Sequence, residues 1–163
     1  MDNLSWYSND NILEKFEKEL NRLKAESNAR ATFLIDKNGQ LIGASKDTDN
    51  YDKTSIGALV AGNVAATGGL AKLLGEREFS ILFHEGENEH VHISLVLGKL
   101  ILVVIFDDST SLGLVRLRVK RSLKVFEELL KQMEENSNDE DKKNLFEDIT
   151  EEDIDNLFNI GGK

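Results

Sequence analysis

Between Asp10 and Glu26, apolar residues recur every three to four positions. Ile12, Leu13, Phe16, Leu20 and Leu23 fall on one side, and Asp10 stands where a capping side chain is wanted. The spacing predicts an amphipathic helix over 10–26. The pattern then changes. Arg30–Ile35 and Gln40–Ser45 read as two short strands, and Asp36-Lys37-Asn38-Gly39 between them carries the Asn-Gly chemistry of a tight hairpin. A second helix is expected over Thr54–Leu74. Strands are expected over Phe79–His84, Val91–Leu97 and Leu100–Phe106, the last two joined by the two-residue loop Gly98-Lys99. A third helix runs from Ser111 to about Met133, with Leu112, Val115, Val119, Phe126, Leu130 and Met133 along one side.

The predicted order is helix, two strands, helix, three strands, helix. All strand connections but one are hairpins. The expected architecture is therefore α+β, a five-stranded antiparallel sheet with helices on both faces. Leu100–Phe106 is continuously apolar, as a central strand covered on both sides would be. From Glu134 to Glu147 the chain is polar and charged, and reads as a flexible linker. It leads to a short C-terminal helix. Thr150 and Asp153 resemble a capping box, and Ile154, Leu157 and Phe158 share one face. So short a helix is not stable alone, and reads as a docking motif or as a frayed tail. The expected organisation is a domain over 1–133, a linker over 134–147 and a docking segment over 148–163.

The second helix stands apart in composition. Ser55–Ala71 is a run of 17 residues without a charge. On a helical wheel Ile56, Leu59, Val60, Asn63, Val64, Thr67, Leu70 and Leu74 group on one side, which is expected to pack on the sheet. The other side carries Ala58, Ala61, Gly62, Ala65, Gly68 and Gly69, with Lys72 only at the end. Glycine costs about 1 kcal/mol against alanine inside a helix, so four of them (57, 62, 68 and 69) call for close approach of another backbone. A dimer or partner interface is the expectation. A membrane span needs about 20 mostly apolar residues, and this run is shorter, glycine-rich and interrupted by Asn63 and Thr67. The remaining alternative is a helix buried on both sides within one chain.

Charge narrows the choice of partner. The chain has 163 residues and a net charge of −10. Residues 127–163 carry 13 acidic and 4 basic side chains, so the remainder is nearly neutral. Such a balance disfavours nucleic acid and anionic membranes, which need a basic surface. With no cysteine there is no disulfide, thiolate metal site or thiol nucleophile. Met1-Asp2-Asn3-Leu4 lacks the pattern of a signal peptide, which leaves the cytoplasm as the expected location.

Signatures of chemistry are few. Gly57 to Gly62 gives G-x-x-x-x-G, but Asn63 and Val64 stand where a P-loop needs Lys and Ser or Thr. No dinucleotide fingerprint or nucleophile elbow is present. His84, His90 and His92 would hold zinc if their imidazoles met, though no carboxylate completes the set; a polar hairpin tip is the plainer expectation. Arg116, Arg118, Lys120, Arg121 and Lys124 form a basic run on the third helix. It is either a solvated face or an acceptor for acidic residues, and Arg116 and Arg118 are candidates for an arginine finger.

Several stretches carry a family resemblance. Phe33-Leu34-Ile35-Asp36-Lys37-Asn38-Gly39-Gln40-Leu41-Ile42 resembles the first hairpin of the Roadblock/dynein light-chain family, and Phe83-His84-Glu85-Gly86 a later one. Ala61-Gly62-Asn63-Val64-Ala65-Ala66 with Gly68-Gly69-Leu70-Ala71-Lys72-Leu73 is similar to the second helix of a bacterial branch of that family. Leu102-Val103-Val104-Ile105-Phe106-Asp107 and Thr110-Ser111-Leu112-Gly113-Leu114-Val115-Arg116-Leu117-Arg118 resemble its last strand and third helix. Asp153-Ile154-Asp155-Asn156-Leu157-Phe158 resembles its C-terminal segment. The resemblance implies a homodimer that pairs the second helices and the Phe79–His84 strands. It implies binding of one small Ras-like bacterial GTPase of the MglA type by two copies of the chain, in control of polarity and motility.

It further implies faster GTP hydrolysis without an arginine finger, a cofactor or catalytic residues from this chain. The bare side of the second helix, Ala58, Ala61, Gly62, Ala65, Gly68, Gly69 and Lys72, is then the expected GTPase and dimer face, and the resemblance places Ala65 and Gly69 at small positions where bulk disrupts GTPase binding in the family. On that resemblance Arg121, Lys124 and Glu128 on the third helix face the GTPase, and Ile154, Leu157 and Phe158 dock on it. An adaptor that recruits the GTPase without stimulating it is the alternative, and a zinc- or small-molecule-binding module a more distant one.

Overall fold

The computed structural model describes residues 10–147, and the burial of side chains from 11 to 137. Its elements are α1 (Asp10–Ser27), β1 (Ala31–Asp36), β2 (Leu41–Ala44), α2 (Lys53–Leu73), β3 (Ile81–Glu85), β4 (Glu89–Val96), β5 (Leu100–Asp107) and α3 (Leu112–Glu147). The chain divides into two compact units, residues 1–129 and 130–163.

In the first unit the five strands form one sheet in the order β2-β1-β5-β4-β3, every neighbouring pair antiparallel. The expected α+β arrangement with helices on both faces is the one observed. β5 lies at the centre, and Leu100 to Phe106 are all buried. Alternation along the strands sorts side chains to two faces. Phe33, Ile35, Ile93, Ile101, Val103 and Ile105 form a cluster on one face, with Ile56, Val60 and Val64 of α2 packed against it. On the other face α1 buries Ile12, Phe16, Leu20 and Leu23, and α3 buries Val115, Val119 and Phe126. Phe16 and Phe126 meet at 6.0 Å between ring centres, and the Ser122 hydroxyl donates to Glu19 at 3.0 Å.

The turns follow from local chemistry. Asp36 Oδ1 accepts from the backbone N–H groups of Asn38 and Gln40, both at 2.9 Å, and Gly39 takes φ +88° to close the β1–β2 hairpin. The β4–β5 turn differs from the expected Gly98-Lys99 loop. Leu97 and Gly98 are its central pair, at φ +51° and +66°, and Lys99 N–H donates to Val96 C=O. Both central residues at positive φ match the twist of the flanking strands.

α3 also departs from expectation. It does not stop near Met133, and residues 134–147, expected as a flexible linker, continue it as helix. The physical reason is the absence of any breaker: the sequence has no proline, and no glycine lies between Gly113 and Gly161. The expected docking segment with Ile154, Leu157 and Phe158 lies outside the described residues.

Candidate protein-interaction site

α2 has well-made ends. Asp52 caps its start, accepting from the Ser55 backbone N–H at 3.1 Å and the Ser55 hydroxyl at 2.7 Å, and these bonds hold the Asp52 carboxyl below its ordinary pKa. At the other end Glu76 N–H bonds to Ala71 C=O and Gly75 N–H to Lys72 C=O, with Gly75 at φ +79°, the paired bonds of a Schellman stop.

The helix is rotated from the expected orientation. Gly57, Ala61 and Ala71 are its buried residues. Ala61, expected on the bare side, faces the sheet at 8% exposure, whereas Leu59 and Leu70, expected against the sheet, are 73% and 50% exposed. The cause is a backbone contact. A Cβ on Gly57 would stand 2.2 Å from the Gly39 carbonyl oxygen, so α2 lies directly on the β1–β2 turn through its glycine. That contact fixes the small residues inward and turns leucines outward.

The outer side of α2 therefore joins small and large apolar residues. Ala58, Gly62, Ala65 and Gly69 are exposed, Gly68 is half-buried, and Lys72 is exposed. Leu73 and Leu74 extend the surface at 84% and 65% exposure. A Cβ added at Gly62, Gly68 or Gly69 meets nothing within 4 Å. Among the described residues these glycines thus have no packing reason, unlike Gly57. By length and composition α2 is apolar enough to cross a membrane, but its inner side packs on the core of a folded domain. Beside it runs β3, which among the described residues is bonded only to β4, so that edge of the sheet is open next to the bare helix. The Asn63 amide and His84 Nε2 connect the two elements at 2.9 Å.

Between the second half of α2 and the sheet is a groove of about 370 Å³. It was not legible in the sequence, because it brings Lys37, Arg77, Phe79, Leu95 and Ile101 to α2 from four separate segments.

The α3 candidates lie elsewhere. Arg121, Lys124 and Glu128 are placed on the helix that covers the opposite face of the sheet from α2, and all three are exposed. Within one chain the two sets do not meet. Arg121 also stands 3.9 Å from Glu26 of α1. Arg116 is exposed; Arg118 is half-buried, with its Nε lacking a hydrogen-bond partner.

The three histidines do not converge. His84 is paired with Val91 and His90 with Glu85, so His84 points to the α2 face, and His90 and His92 to the other. His90 Nδ1 accepts from Gly86 N–H at 3.2 Å, and its Nε2 meets Asp108 at 3.0 Å. It closes a turn. His92 is buried; desolvation, and then the Arg116 charge, push its imidazole down to about 4. Among the described residues no group of three or more His, Cys, Asp or Glu is arranged for a metal ion.

An apolar helix and an open strand thus lie side by side on the surface of a three-layer domain, a candidate interaction face. The Roadblock/LC7 domain model matches residues 15–106, and the chain belongs to that family. Within it the likeness is to MglB. MglB of Myxococcus xanthus is 47% identical with a TM-score of 0.72, over 74% of this chain and 91% of that one. The gliding protein MglB of Thermus thermophilus is 30% identical, TM-score 0.71, over 75% and 93%. An MglB in a tetrameric arrangement is 29% identical, TM-score 0.72, over 76% and 93%. A comparison with curated proteins finds no match. Roadblock proteins of the MglB type are regulators rather than catalysts.

Proposed function

We propose that this protein is a cytoplasmic homodimeric regulator that binds a small Ras-like GTPase of the MglA type and accelerates its GTP hydrolysis, in the control of cell polarity and motility. The observation that carries the reading is the outer face of α2. It is apolar and glycine-rich, a Cβ added at Gly62, Gly68 or Gly69 would meet none of the described residues within 4 Å, and it belongs to a chain 47% identical to Myxococcus xanthus MglB. Pairing of α2 and of the open β3 edge across a twofold axis would join two sheets into one. The joined helices would then offer a single platform to one GTPase.

The chemistry of that face suits conformational stabilisation. Apart from Lys72 it presents no acid, base or nucleophile. A regulator of this kind acts by binding the hydrolysis-competent state of the GTPase more tightly than the others, which raises its population. The attacking water and the charge-neutralising arginine then belong to the GTPase. Arg121, Lys124 and Glu128 would add contacts from α3, and the segment over 148–163, with Ile154, Leu157 and Phe158, would dock on a second GTPase surface.

The test is single-turnover GTP hydrolysis by the MglA-type GTPase of the same organism, with and without the full chain. A rate increase on the order of a hundredfold or more supports the activator. Nucleotide-dependent binding without acceleration makes the protein an adaptor instead.

A further inference from the structure

The groove beside α2 has a chemical character of its own. Leu95 and Ile101 of the sheet and Phe79 before β3 give it an apolar lining, and Ile101 is fully buried beneath it. Ala65, Gly68 and Gly69 leave its helix side without bulk. Three cations from separate segments stand around it: Lys37 in the β1–β2 turn, Lys72 at the end of α2 and Arg77 in the following loop. All three are exposed and, among the described residues, none forms an ion pair; Glu78 is the one carboxylate in the lining. In a region whose charges otherwise nearly balance, an apolar hollow ringed by three cations without an ion pair is a local excess of positive charge.

We propose that this groove is the specificity pocket of the interaction face. It receives one large apolar side chain, of leucine or phenylalanine size, from the GTPase, and carboxylates flanking that side chain pair with Lys37, Lys72 and Arg77. The proposal rests on the GTPase-binding reading above. Its reasoning is complementarity in shape and sign. An anchor side chain in a desolvated pocket supplies most of the affinity, and cations at the rim set the encounter rate and select the partner. A neutral or basic partner surface would leave three cations facing it unpaired or repelled.

Calorimetry with the full chain and the MglA-type GTPase of the same organism, loaded with a non-hydrolysable GTP analogue, tests this at about 50 and about 300 mM salt. Arg77→Glu and Lys37→Glu are each expected to weaken binding on the order of tenfold at low salt, with a smaller effect at high salt. Arg77→Lys should stay near wild type. Lys46→Glu, an exposed cation in a different cleft, should have no effect. Reversals that leave affinity unchanged, while wild type binds, overturn the pocket and leave the GTPase reading standing. Reversals that change the mass of the free protein by light scattering assign the groove to contacts between copies, and overturn it too. A wild-type chain that binds no such GTPase removes both readings.

Discussion

The glycines of α2 fall into two classes that alanine substitution separates. Gly57 sits against backbone: an added Cβ would lie 2.2 Å from the Gly39 carbonyl oxygen, where real contacts do not come within 3.0 Å. Removing that clash needs movement of the helix or of the β1–β2 turn. Gly57→Ala gains about 1 kcal/mol of helix propensity but incurs an overpacking cost at the upper end of roughly 1–3 kcal/mol, a net loss of about 1–2 kcal/mol. Gly62 and Gly69 have open space around them. Alanine there should stabilise the isolated fold by about 0.5–1 kcal/mol each, with Gly69 at the lower end because it is one turn from the helix terminus.

Urea unfolding at several protein concentrations measures both effects. Concentration dependence separates the fold of one chain from any association between chains. GTPase affinity is then measured on the same variants. The combination expected for Gly69→Ala is a more stable fold with weaker binding, because the methyl holds the partner backbone away. If Gly57→Ala is neutral, the helix does not rest on the turn as described. If Gly62→Ala and Gly69→Ala leave both stability and binding unchanged, the bare face has no role in contact.

Ala65→Arg is expected to abolish GTPase binding while leaving the fold intact, since Ala65 is exposed on the outer side of α2; unchanged affinity by calorimetry in a folded variant counts against the face. His92 predicts a pH dependence of stability. Its imidazole falls from an ordinary 6.5 to about 4 in the fold, so the unfolded chain binds the extra proton between those values. Stability is full above about 6.5 and is lost as pH falls towards 4, by about 2 kcal/mol once partial solvent screening is allowed for. His92→Gln should flatten that component in unfolding curves taken between neutral and mildly acidic pH; a slope identical to wild type would place the dependence on other groups.

Elements were legible in the sequence where they rest on local pattern. The α1 face of Ile12, Phe16, Leu20 and Leu23 and the apolar run of β5 are buried as the spacing predicts. What was not legible is set by contacts distant in sequence. A helical wheel assigns Leu59 and Leu70 inward because leucine is more apolar than alanine, but the Gly57–Gly39 contact orients the helix, and no periodicity within α2 encodes Gly39. The histidine triad fails on register: pairing His90 with Glu85 rather than His84 sends the imidazoles to opposite faces. At the end of α3, polarity suggests disorder, yet no residue in 134–147 stops a helix. Of the candidate site, the small residues were visible and the groove was not, since Lys37, Arg77 and Leu95 come together only when the sheet and α2 have packed.

The surface of α2 also limits what kind of contact covers it. α1 points Glu14, Lys15, Lys18 and other polar residues outward, as a helix facing water should. The outward side of α2 carries leucines instead. Full burial of a leucine is worth roughly 1.5–3 kcal/mol, so covering Leu59, Leu70 and Leu73 yields somewhat under about 9 kcal/mol. Association itself costs an estimated 4–15 kcal/mol, roughly, in lost freedom. The leucines alone therefore do not hold a second protein at micromolar concentration, which requires about −8 kcal/mol net. In the proposed dimer the remainder would come from features next to them: helix backbones brought close at Gly62 and Gly69, and strand hydrogen bonds along the edge of β3. On this reasoning, α2 and β3 would act as one interface in the proposed dimer, and a variant that blocks either should abolish association rather than halve its energy.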